Sequence, residues 1–348
     1  MKAAVLTEYK KIELKDVPFP PVKDSEVMVR VSSASICGTD QHIFSGAFHP
    51  RTHLPLIPGH EFVGTITEMG KEVTGFKEGD FVAVDPIIWC GKCPACEIGH
   101  YPACTSLKLL GIDMDGGFAE YVAADASKLY PIDPGISATD AALVEPYAIG
   151  FHASKRAGVQ SGDKLAFYGS GKIGQSIMQA ARTITDNTVF IVDVIQKRLD
   201  MAKSAYPDVI AINARDANPV EVIMEQTGGK GVDIAFEAAG DALILESRVH
   251  PVREAIHSIR GAGKVCVLSL GDDEVTLVMK ELIWKEGLLI TSRVSCGEYK
   301  DALEHLAKGL LRPKALISSI MPLSQAQEAF EMIERDPDNH LKVILTVS

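Results

Sequence analysis

Short apolar or alternating runs, separated by turn-forming residues, make up the first part of the chain. The runs with β-branched or alternating character are Lys2–Leu6, Glu26–Ser33, Glu61–Glu68 and Asp80–Asp85. Proline- and glycine-rich stretches such as PFPPV and IPGHE lie between them, and such residues favour turns. The pattern predicts a mainly β, partly barrel-like lobe.

From Asp163 onward, the pattern changes to apolar strands that alternate with helices. The predicted strands are LAFY, TVFIVD, Val209–Ile212, Val232–Glu237, Lys264–Leu270 and Leu288–Arg293. Such alternation is typical of a parallel sheet that is covered by helices on both faces, so the region predicts a doubly wound α/β domain. The segments that return the chain to a different lobe are two helices, Tyr299–Lys308 and Ser324–Arg335, and a strand, Leu341–Val347.

The segment ISATDAALVEPYAIGFHASKRAG, between the two patterns, is predicted to be a helix with one interruption. The helix is expected to start at Ser137 or Thr139, to break near Pro146 and then to resume. A residue that precedes proline is pushed out of helical geometry. Glu145 is therefore predicted at a bend, where its carboxylate could point into a cleft. An ordinary glutamate on a helix surface is the alternative.

Length and charge limit the classes of function. A chain of 348 residues exceeds the size at which single hydrophobic cores stop growing, so two domains are expected. The net charge of −11 argues against nucleic-acid binding, which requires basic surfaces. No apolar stretch approaches the ~18 residues of a membrane span, and the apolar run in MKAAVLTEYKK is too short for a signal peptide. We expect a cytoplasmic protein without membrane contact.

Four of the seven cysteines lie in one short segment, CGKCPACEIGHYPAC. Cys90, Cys93 and Cys96 follow two successive Cys-x-x-Cys steps, and Cys104 comes eight residues later. Four thiolates complete a tetrahedral zinc site and leave no position for water or substrate. Disulfides are unfavourable in a reducing cytosol, and the spacing differs from that of ferredoxin clusters. The segment predicts a structural zinc lobe over residues 90–104.

A second set of metal-binding residue types lies in the stretch SICGTDQHIFSGAFHPRTHLPLIPGHEFVG. Zinc prefers thiolate and imidazole ligands, which Cys37 and His60 offer, and Glu61 or a later carboxylate could be a third. A catalytic zinc needs about three protein ligands and one open position. For an isolated pair, an ordinary buried cysteine and a surface histidine would be the simpler interpretation. The motifs further along the chain favour the metal.

The apolar strand LAFY is followed by a glycine-rich turn, GSGKIG, that opens a helix. The next strand ends in an aspartate 19 residues after the last glycine of that turn. This order of strand, GxGxxG, helix, strand and acidic residue is the fingerprint of a dinucleotide site, in which backbone amides contact the pyrophosphate and the acid contacts the ribose hydroxyls. The residues assigned to the cofactor are Gly169, Gly171, Lys172, Ile173, Gly174, Asp193 and Arg198.

Six motifs together resemble those of the zinc-containing medium-chain dehydrogenases over essentially the whole chain. They are CGTDQH, GHEFVG, the four-cysteine lobe, DGGFAEYV, ALVEPYAIGFHA and GSGKIG…VDV. Within that superfamily, the chain is most similar to the polyol (sorbitol-type) and threonine dehydrogenase branch. The resemblance implies a Rossmann domain that binds NAD and is inserted in a mainly β, GroES-like catalytic domain. The implied limits are 1–150 and 291–348 for the catalytic domain and 151–290 for the NAD-binding domain.

The resemblance also implies roles for the residues of the metal stretch. Cys37 and His60 match catalytic zinc ligands, and Glu145 matches the glutamate of the polyol branch that binds zinc directly or through water. Glu61 matches a carboxylate beside the metal, which is either a ligand or a neighbour of the ligands. Two zinc ions per chain, one catalytic and one structural, and NAD are therefore the expected cofactors.

We expect an enzyme that oxidises a secondary alcohol of a polyol-like substrate. Thr39 and His42 match the hydroxyl and the imidazole of the proton relay in the family. Threonine dehydrogenases carry Asp-Pro where this chain has Glu145 before proline, which favours the polyol side. The relay histidine is followed by Ile43 instead of an aromatic residue, and Arg293 is displaced by one position from a substrate-binding arginine. These two differences leave the identity of the substrate open.

Two alternative functions are kept. The chain could be an L-threonine 3-dehydrogenase, or a catalytically silent protein that binds NAD, like the zinc-free members of the superfamily. The complete set of predicted zinc and relay residues argues against the silent protein. The expected partners are a small-molecule alcohol and further copies of the chain in a homodimer or homotetramer.

Overall fold

The computed structural model describes residues 1–240, 249–271 and 274–347, which form two compact units. The first unit consists of Met1–Glu145, Tyr299–Gly309 and the chain from Ile317 onward. The second unit consists of Pro146–Glu298 and Leu310–Leu316. The boundaries thus fall at 145/146 and 298/299, where the sequence suggested 150/151 and 290/291. In addition, the short segment 310–316 belongs to the second unit.

In chain order the strands are β1 (Lys2–Glu8), β2 (Lys11–Asp16), β3 (Glu26–Ser35), β4 (Glu61–Met69), β5 (Phe81–Val84), β6 (Ile87–Ile88), β7 (Lys108–Leu109), β8 (Tyr121–Asp125), β9 (Leu129–Pro131), β10 (Leu165–Tyr168), β11 (Val189–Asp193), β12 (Ile210–Asn213), β13 (Val232–Glu237), β14 (Ile259–Val267), β15 (Leu288–Thr291), β16 (Ile317–Pro322) and β17 (Lys342–Thr346). The α-helices are α1 (Gly38–Ser45), α2 (Pro94–Glu97), α3 (Ala138–Ala141), α4 (Val144–Ala157), α5 (Lys172–Arg182), α6 (Gln196–Ala205), α7 (Pro219–Gln226), α8 (Pro251–Ser258), α9 (Met279–Ile283), α10 (Tyr299–Ala307) and α11 (Ala326–Arg335).

A seven-stranded sheet dominates the first unit, with the order β16-β17-β3-β4-β5-β9 and with β8 paired to β3. β3 runs antiparallel to β4, β8 and β17, so strands from the beginning and the end of the chain lie side by side. In these pairings Ser35 of β3 is opposite both Glu61 and Ile344. The predicted mainly β lobe is confirmed, and β17 lies near the beginning of the metal stretch.

A parallel six-stranded sheet forms the second unit, with the order β12-β11-β10-β13-β14-β15. All residues of β10 and β11 are buried, which is expected of parallel strands that are covered on both faces. Between the central strands, the rings of Phe167 and Phe236 stack with centroids 5.0 Å apart. The predicted doubly wound fold is confirmed, and the strand order reverses between β10 and β13.

The predicted break at Pro146 is wrong. α3 starts where Ser137 was expected to cap it, since the Ser137 hydroxyl accepts a hydrogen bond from the Asp140 N–H at 3.1 Å. The interruption comes at Ala142 and Leu143, before α4, and Pro146 lies in the first turn of that helix. Proline is tolerated there because a first-turn N–H has no acceptor within the helix.

No helix in the described ranges is both long and apolar enough to cross a membrane.

Candidate metal centres and cofactor site

Cys37, His60 and Glu61 come together in the first unit. One ligand atom from each lies within 4.8 Å of the others. Cys37 directly precedes α1, and His60 directly precedes β4, which begins with Glu61. The pairing of β3 with β4 explains the encounter, because it sets Ser35, two residues before Cys37, opposite Glu61. The cluster has the ligand types of a catalytic zinc site.

The carboxylate of Asp40, which sequence reasoning missed, orders this cluster. Its Oδ2 accepts a hydrogen bond from the Cys37 N–H at 2.8 Å, and its Oδ1 lies 3.3 Å from Nδ1 of His60. Burial disfavours the charged imidazole, but Asp40 and Cys37 outweigh it and raise the pKa of His60. Carboxylates commonly fix the ring of a metal-binding histidine in this way. The motif CGTD contained the signal, since the aspartate lies three residues after the cysteine.

Glu61 has a buried lysine as its partner. Lys342 Nζ donates to Oε1 and to Oε2 of Glu61, each at 2.5 Å, and both side chains are fully buried. Burial opposes ionisation of the acid, but the Lys342 ammonium outweighs it and lowers the pKa of Glu61. The pairing was not predicted. The lysine inside the apolar run LKVILTV was a signal that could have revealed it, because buried lysines are almost always paired.

Glu145 is also buried, on the first turn of α4, but lies outside the group of mutually close ligand atoms. Its Oε2 has no hydrogen-bond partner among the described residues. Burial, with the nearby Glu61 charge, raises the pKa of Glu145 to about 8. The Tyr299 hydroxyl is also buried and has no hydrogen-bond partner among the described residues. Its ring stacks on the ring of Tyr130, with centroids 5.1 Å apart. Unpaired buried polar groups are rare, and a catalytic role, a bound water or a bound ion can account for them.

Thr39 and His42 both lie on α1, which follows Cys37 directly in the chain. Thr39 is half-buried, whereas His42 is exposed. The ring of His42 is nearly parallel to that of Phe48, with centroids 6.2 Å apart. The two side chains thus lie on one helix, one partly buried and the other exposed to solvent, as a path for protons would require.

The four cysteines of the lobe gather around a common point. Their sulfur atoms lie within 4.8 Å of one another, with 3.5 Å between Cys93 and Cys96 and 4.0 Å between Cys90 and Cys96. Zinc–sulfur bonds of about 2.3 Å in a tetrahedron would place the sulfurs about 3.8 Å apart. Backbone N–H groups of Cys90 and Ser106 donate to the sulfur of Cys104. The geometry fits a structural zinc ion, and all described cysteines are free of disulfides.

The glycine-rich turn of the second unit follows β10 and leads into α5. Gly169 has φ +104°, which favours glycine, and a Cβ on Gly174 would lie 1.9 Å from the Gly169 oxygen. A Cβ on Gly171 would meet open space. Gly171 is also the N-cap of α5, and no side chain caps the helix. Lys172 and Ile173 are the first residues of this helix, so the loop lies at a helix N-terminus, which suits an anionic pyrophosphate.

Asp193 ends β11 and connects the glycine-rich loop to the next turn. Its Oδ2 accepts from the Ser170 N–H at 2.7 Å, and its Oδ1 accepts from the Ile195 N–H at 2.9 Å. The Arg198 carbonyl accepts from the Ser170 hydroxyl at 3.0 Å and from the Gln175 amide at 3.1 Å. Each carboxylate oxygen of Asp193 retains a further lone pair for a ribose hydroxyl.

Comparison with known proteins identifies the family. The profile of the alcohol dehydrogenase GroES-like domain matches residues 23–134, and that of the zinc-binding dehydrogenases matches residues 173–308. The sorbitol dehydrogenase of Bacillus subtilis is 32% identical over 349 residues, which cover 99% of this chain and 97% of that protein. The L-threonine 3-dehydrogenase of Bacillus velezensis is 31% identical over 329 residues, 92% of each chain.

A solved structure agrees with these relatives. The crystal structure of an Escherichia coli protein described as a short chain alcohol dehydrogenase, in complex with NADH, superimposes with a TM-score of 0.89 at 28% identity and covers 99% of both chains. Fold, ligand cluster and sequence matches along the whole length lead to one conclusion. The chain belongs to the zinc-type medium-chain dehydrogenases, in the branch of the polyol and threonine dehydrogenases.

Proposed function

We propose that the protein is a zinc- and NAD-dependent dehydrogenase that oxidises a secondary alcohol of a polyol. The main support for this proposal is the cluster of Cys37, His60 and Glu61, together with the buried Oε2 of Glu145 that has no hydrogen-bond partner among the described residues. The similarity to a sorbitol dehydrogenase along nearly the full chain supports the substrate class.

Charge balance favours a divalent cation at this cluster. With the thiol and the acids ionised, Cys37, Asp40, Glu61 and Glu145 carry four negative charges. Lys342 offsets one of them, and a divalent ion would neutralise two of the remaining three. Without a cation, Glu145 is kept from ionising by burial and by Glu61, which is why its pKa is raised. Cys37 and His60 would hold the zinc, with Glu61 or Glu145 as the third ligand.

Zinc, when bound, acts as a Lewis acid that stabilises negative charge on the substrate oxygen, and NAD accepts the hydride. The chain's own residues would orient the alcohol and remove its proton. The Thr39 hydroxyl would accept that proton while donating its own toward the exposed His42, which would release it to solvent. Asp40 would hold the imidazole of His60 in place throughout.

The four-cysteine lobe would hold a second zinc with a structural role. Four thiolates complete the coordination, so this ion would take no part in the reaction.

NAD is proposed over NADP because of Asp193. A 2′-phosphate next to this carboxylate would bring like charges together, and Asp193 is only 9% exposed, so water would screen the repulsion little. Arg198 lies close in sequence and could soften the repulsion in part.

The experiment is a dehydrogenase assay of the purified protein, together with metal analysis. Polyols, polyol phosphates and L-threonine are offered with NAD, and NADH formation is followed. We expect turnover with a polyol class and about two zinc ions per chain. Turnover with threonine alone would favour the L-threonine 3-dehydrogenase, whose Bacillus velezensis representative is 31% identical. Binding of NADH without turnover of any substrate would favour the silent NAD-binding protein.

We also propose that the chain forms a homodimer through the edge of its parallel sheet. β15 is one of the two edge strands, and edge strands offer unpaired backbone groups to a further strand. Exposed apolar side chains are frequent on β15 and on the segment before it, at Leu270, Met279, Ile283, Trp284, Leu288 and Leu289. Large exposed apolar surfaces mark interaction sites, and a twofold axis would let the same surface cover itself.

A further inference from the structure

Glu237 is a fully buried acid at the carboxyl end of the parallel sheet. It is the last residue of β13, and β13 adjoins β10 where the strand order reverses. In doubly wound sheets, ligands bind outside the carboxyl ends of the strands at this reversal. A buried acid requires partners, so the role of Glu237 depends on the groups it contacts.

The side chain of Glu237 ties two strand ends and one turn together. Its Oε1 accepts a hydrogen bond from the Ala239 N–H at 2.8 Å, and its Oε2 accepts one from the Ser269 hydroxyl. Its backbone carbonyl accepts from the Leu268 N–H at 2.9 Å, just past the end of β14. The carboxyl ends of β13 and β14 are thereby joined through one residue.

The turn that Glu237 holds packs against the glycine-rich loop. The Ala238 N–H donates to the Tyr168 carbonyl at 2.8 Å, which places the turn next to the end of β10. A Cβ on Gly169 would lie 2.6 Å from the Ala238 oxygen and 2.9 Å from the Ala239 nitrogen. The backbone of Gly169 therefore contacts the backbone of Ala238 and Ala239 directly, and no space remains for a side chain. A displacement of Ala239 would change the surface that borders the glycine-rich loop.

We propose that Glu237, together with Ser269, is a positioning residue for the dinucleotide, because it holds the turn at residues 238–240 against Gly169 and so sets the shape of the cofactor crevice. The inference rests on the proposed NAD dependence. Burial raises the pKa of Glu237, and the hydroxyl and amide donors partly offset this. Either a carboxyl or an amide group can accept the hydrogen bond from the Ala239 N–H. The positioning of residues 238–240 therefore depends on the hydrogen bonds and on the length of the side chain at position 237.

The test compares three variants by NADH binding, measured by fluorescence titration without substrate. Glu237→Ala removes both acceptors and should raise the Kd for NADH about tenfold. Glu237→Gln keeps an oxygen for Ala239 and an amide that can donate to Ser269, so its Kd should stay within about threefold of the parent value. Ser269→Ala removes one donor and should have an intermediate effect. In the assay with substrate, KM for NAD should rise while kcat and zinc content stay near the parent values.

A matched control separates positioning from general stability. Thr227 is a buried residue that ends α7, and its hydroxyl accepts from the N–H of Gly231, the residue before β13, at 2.9 Å. Thr227→Val should lower the Tm but leave NADH binding unchanged.

The proposal is overturned if Glu237→Ala binds NADH like the parent, or if Glu237→Gln loses as much affinity as Glu237→Ala. If Glu237→Ala does not fold, unchanged NADH binding by Ser269→Ala overturns it instead. Failure of the parent protein to bind NADH would contradict the proposed function itself, which is a distinguishable result.

Discussion

Lys342 Nζ donates hydrogen bonds to both carboxylate oxygens of Glu61 in a pair that is fully buried, although the two residues are 281 positions apart. Removing one partner of such a pair leaves the other charge buried and uncompensated. Lys342→Met should therefore lower the free energy of unfolding of the metal-free protein by about 3–5 kcal/mol. Denaturant titration measures this, and the double variant Glu61→Gln/Lys342→Met should recover part of the loss. Equal stability of Lys342→Met and the parent would contradict the pairing.

The contribution of this pair should depend on pH in a defined way. The pKa of Glu61 is lowered on folding, so its share of the stability is complete above the ordinary carboxyl value of about 4.3 and is lost as the pH falls through the lower folded value. The pKa of Lys342 is raised, so its share is complete below about 10.4 and is lost as the pH rises through the higher folded value. The gap between parent and Lys342→Met should therefore be widest between these limits.

Glu145→Gln tests whether this carboxylate serves the cation. The substitution keeps the size of the side chain but removes one of the negative charges that would face a divalent ion. We expect faster loss of zinc to a chelator and a shifted pH–rate profile, with NADH affinity nearly unchanged, since the cofactor residues lie in the other unit. Asp140→Asn, on the preceding helix α3, is the control at a helix acid that is not one of the clustered ligand residues. If zinc content and kcat both remain at the parent level, Glu61 is the third ligand.

Cys96→Ser should act on stability through the structural zinc. Three thiolates hold zinc poorly, and the lobe has no buried residue in its helix α2, so little else would maintain it. We expect the zinc content to fall by about one ion per chain and the Tm to drop by several degrees. Cys296→Ser, at a half-buried cysteine outside the lobe, should change neither quantity. Loss of activity with unchanged Tm and zinc content would refute the structural role.

Asp193→Ala should relax the preference for NAD over NADP. It removes the like charge that opposes the 2′-phosphate, so the ratio of kcat/KM for the two cofactors should fall by about tenfold or more. It also removes the acceptors for the Ser170 and Ile195 amides, so NAD itself should bind less tightly. Asp200→Ala, at an exposed position on α6, serves as the control and should keep the preference. Equal kcat/KM for both cofactors in the parent enzyme would exclude the proposed role of Asp193.

Trp284→Glu should dissociate the proposed dimer. The side chain of Trp284 is 76% exposed, and a charge at the centre of an apolar interface cannot be desolvated cheaply. For the parent, light scattering should give twice the chain mass of 37.5 kDa. For the variant, it should give 37.5 kDa. Phe19→Glu changes another exposed aromatic residue, in the first unit, and should leave the mass as it is. A parent mass of 37.5 kDa would count against the interface.

The parts of the site that could be predicted are those in which local chemistry restricts the residue type. Cysteine spacing indicated the cluster of four thiols, and the glycines of GSGKIG indicated the loop after β10, since Gly174 admits no Cβ. The partner of Glu61 could not be predicted, because it is set by the pairing of β17 with β3 and no local pattern encodes that pairing. The contact between Glu237 and Ser269 likewise depends on two parallel strands being neighbours. The error at Pro146 arose because the effect of a proline depends on its position in the helix.

The position of Lys342 on β17 has a consequence for the biogenesis of the enzyme. A nascent chain grows from its amino end at about 5–20 residues per second, so Cys37 and His60 are made long before the strand that pairs with β3. Until β17 takes its place, Glu61 has no ammonium ion beside it and the cluster has a surplus of negative charge. The second unit, all of which precedes β17 in the chain, can already fold during this time. The final charge balance of the cluster is therefore expected to be reached only late in maturation.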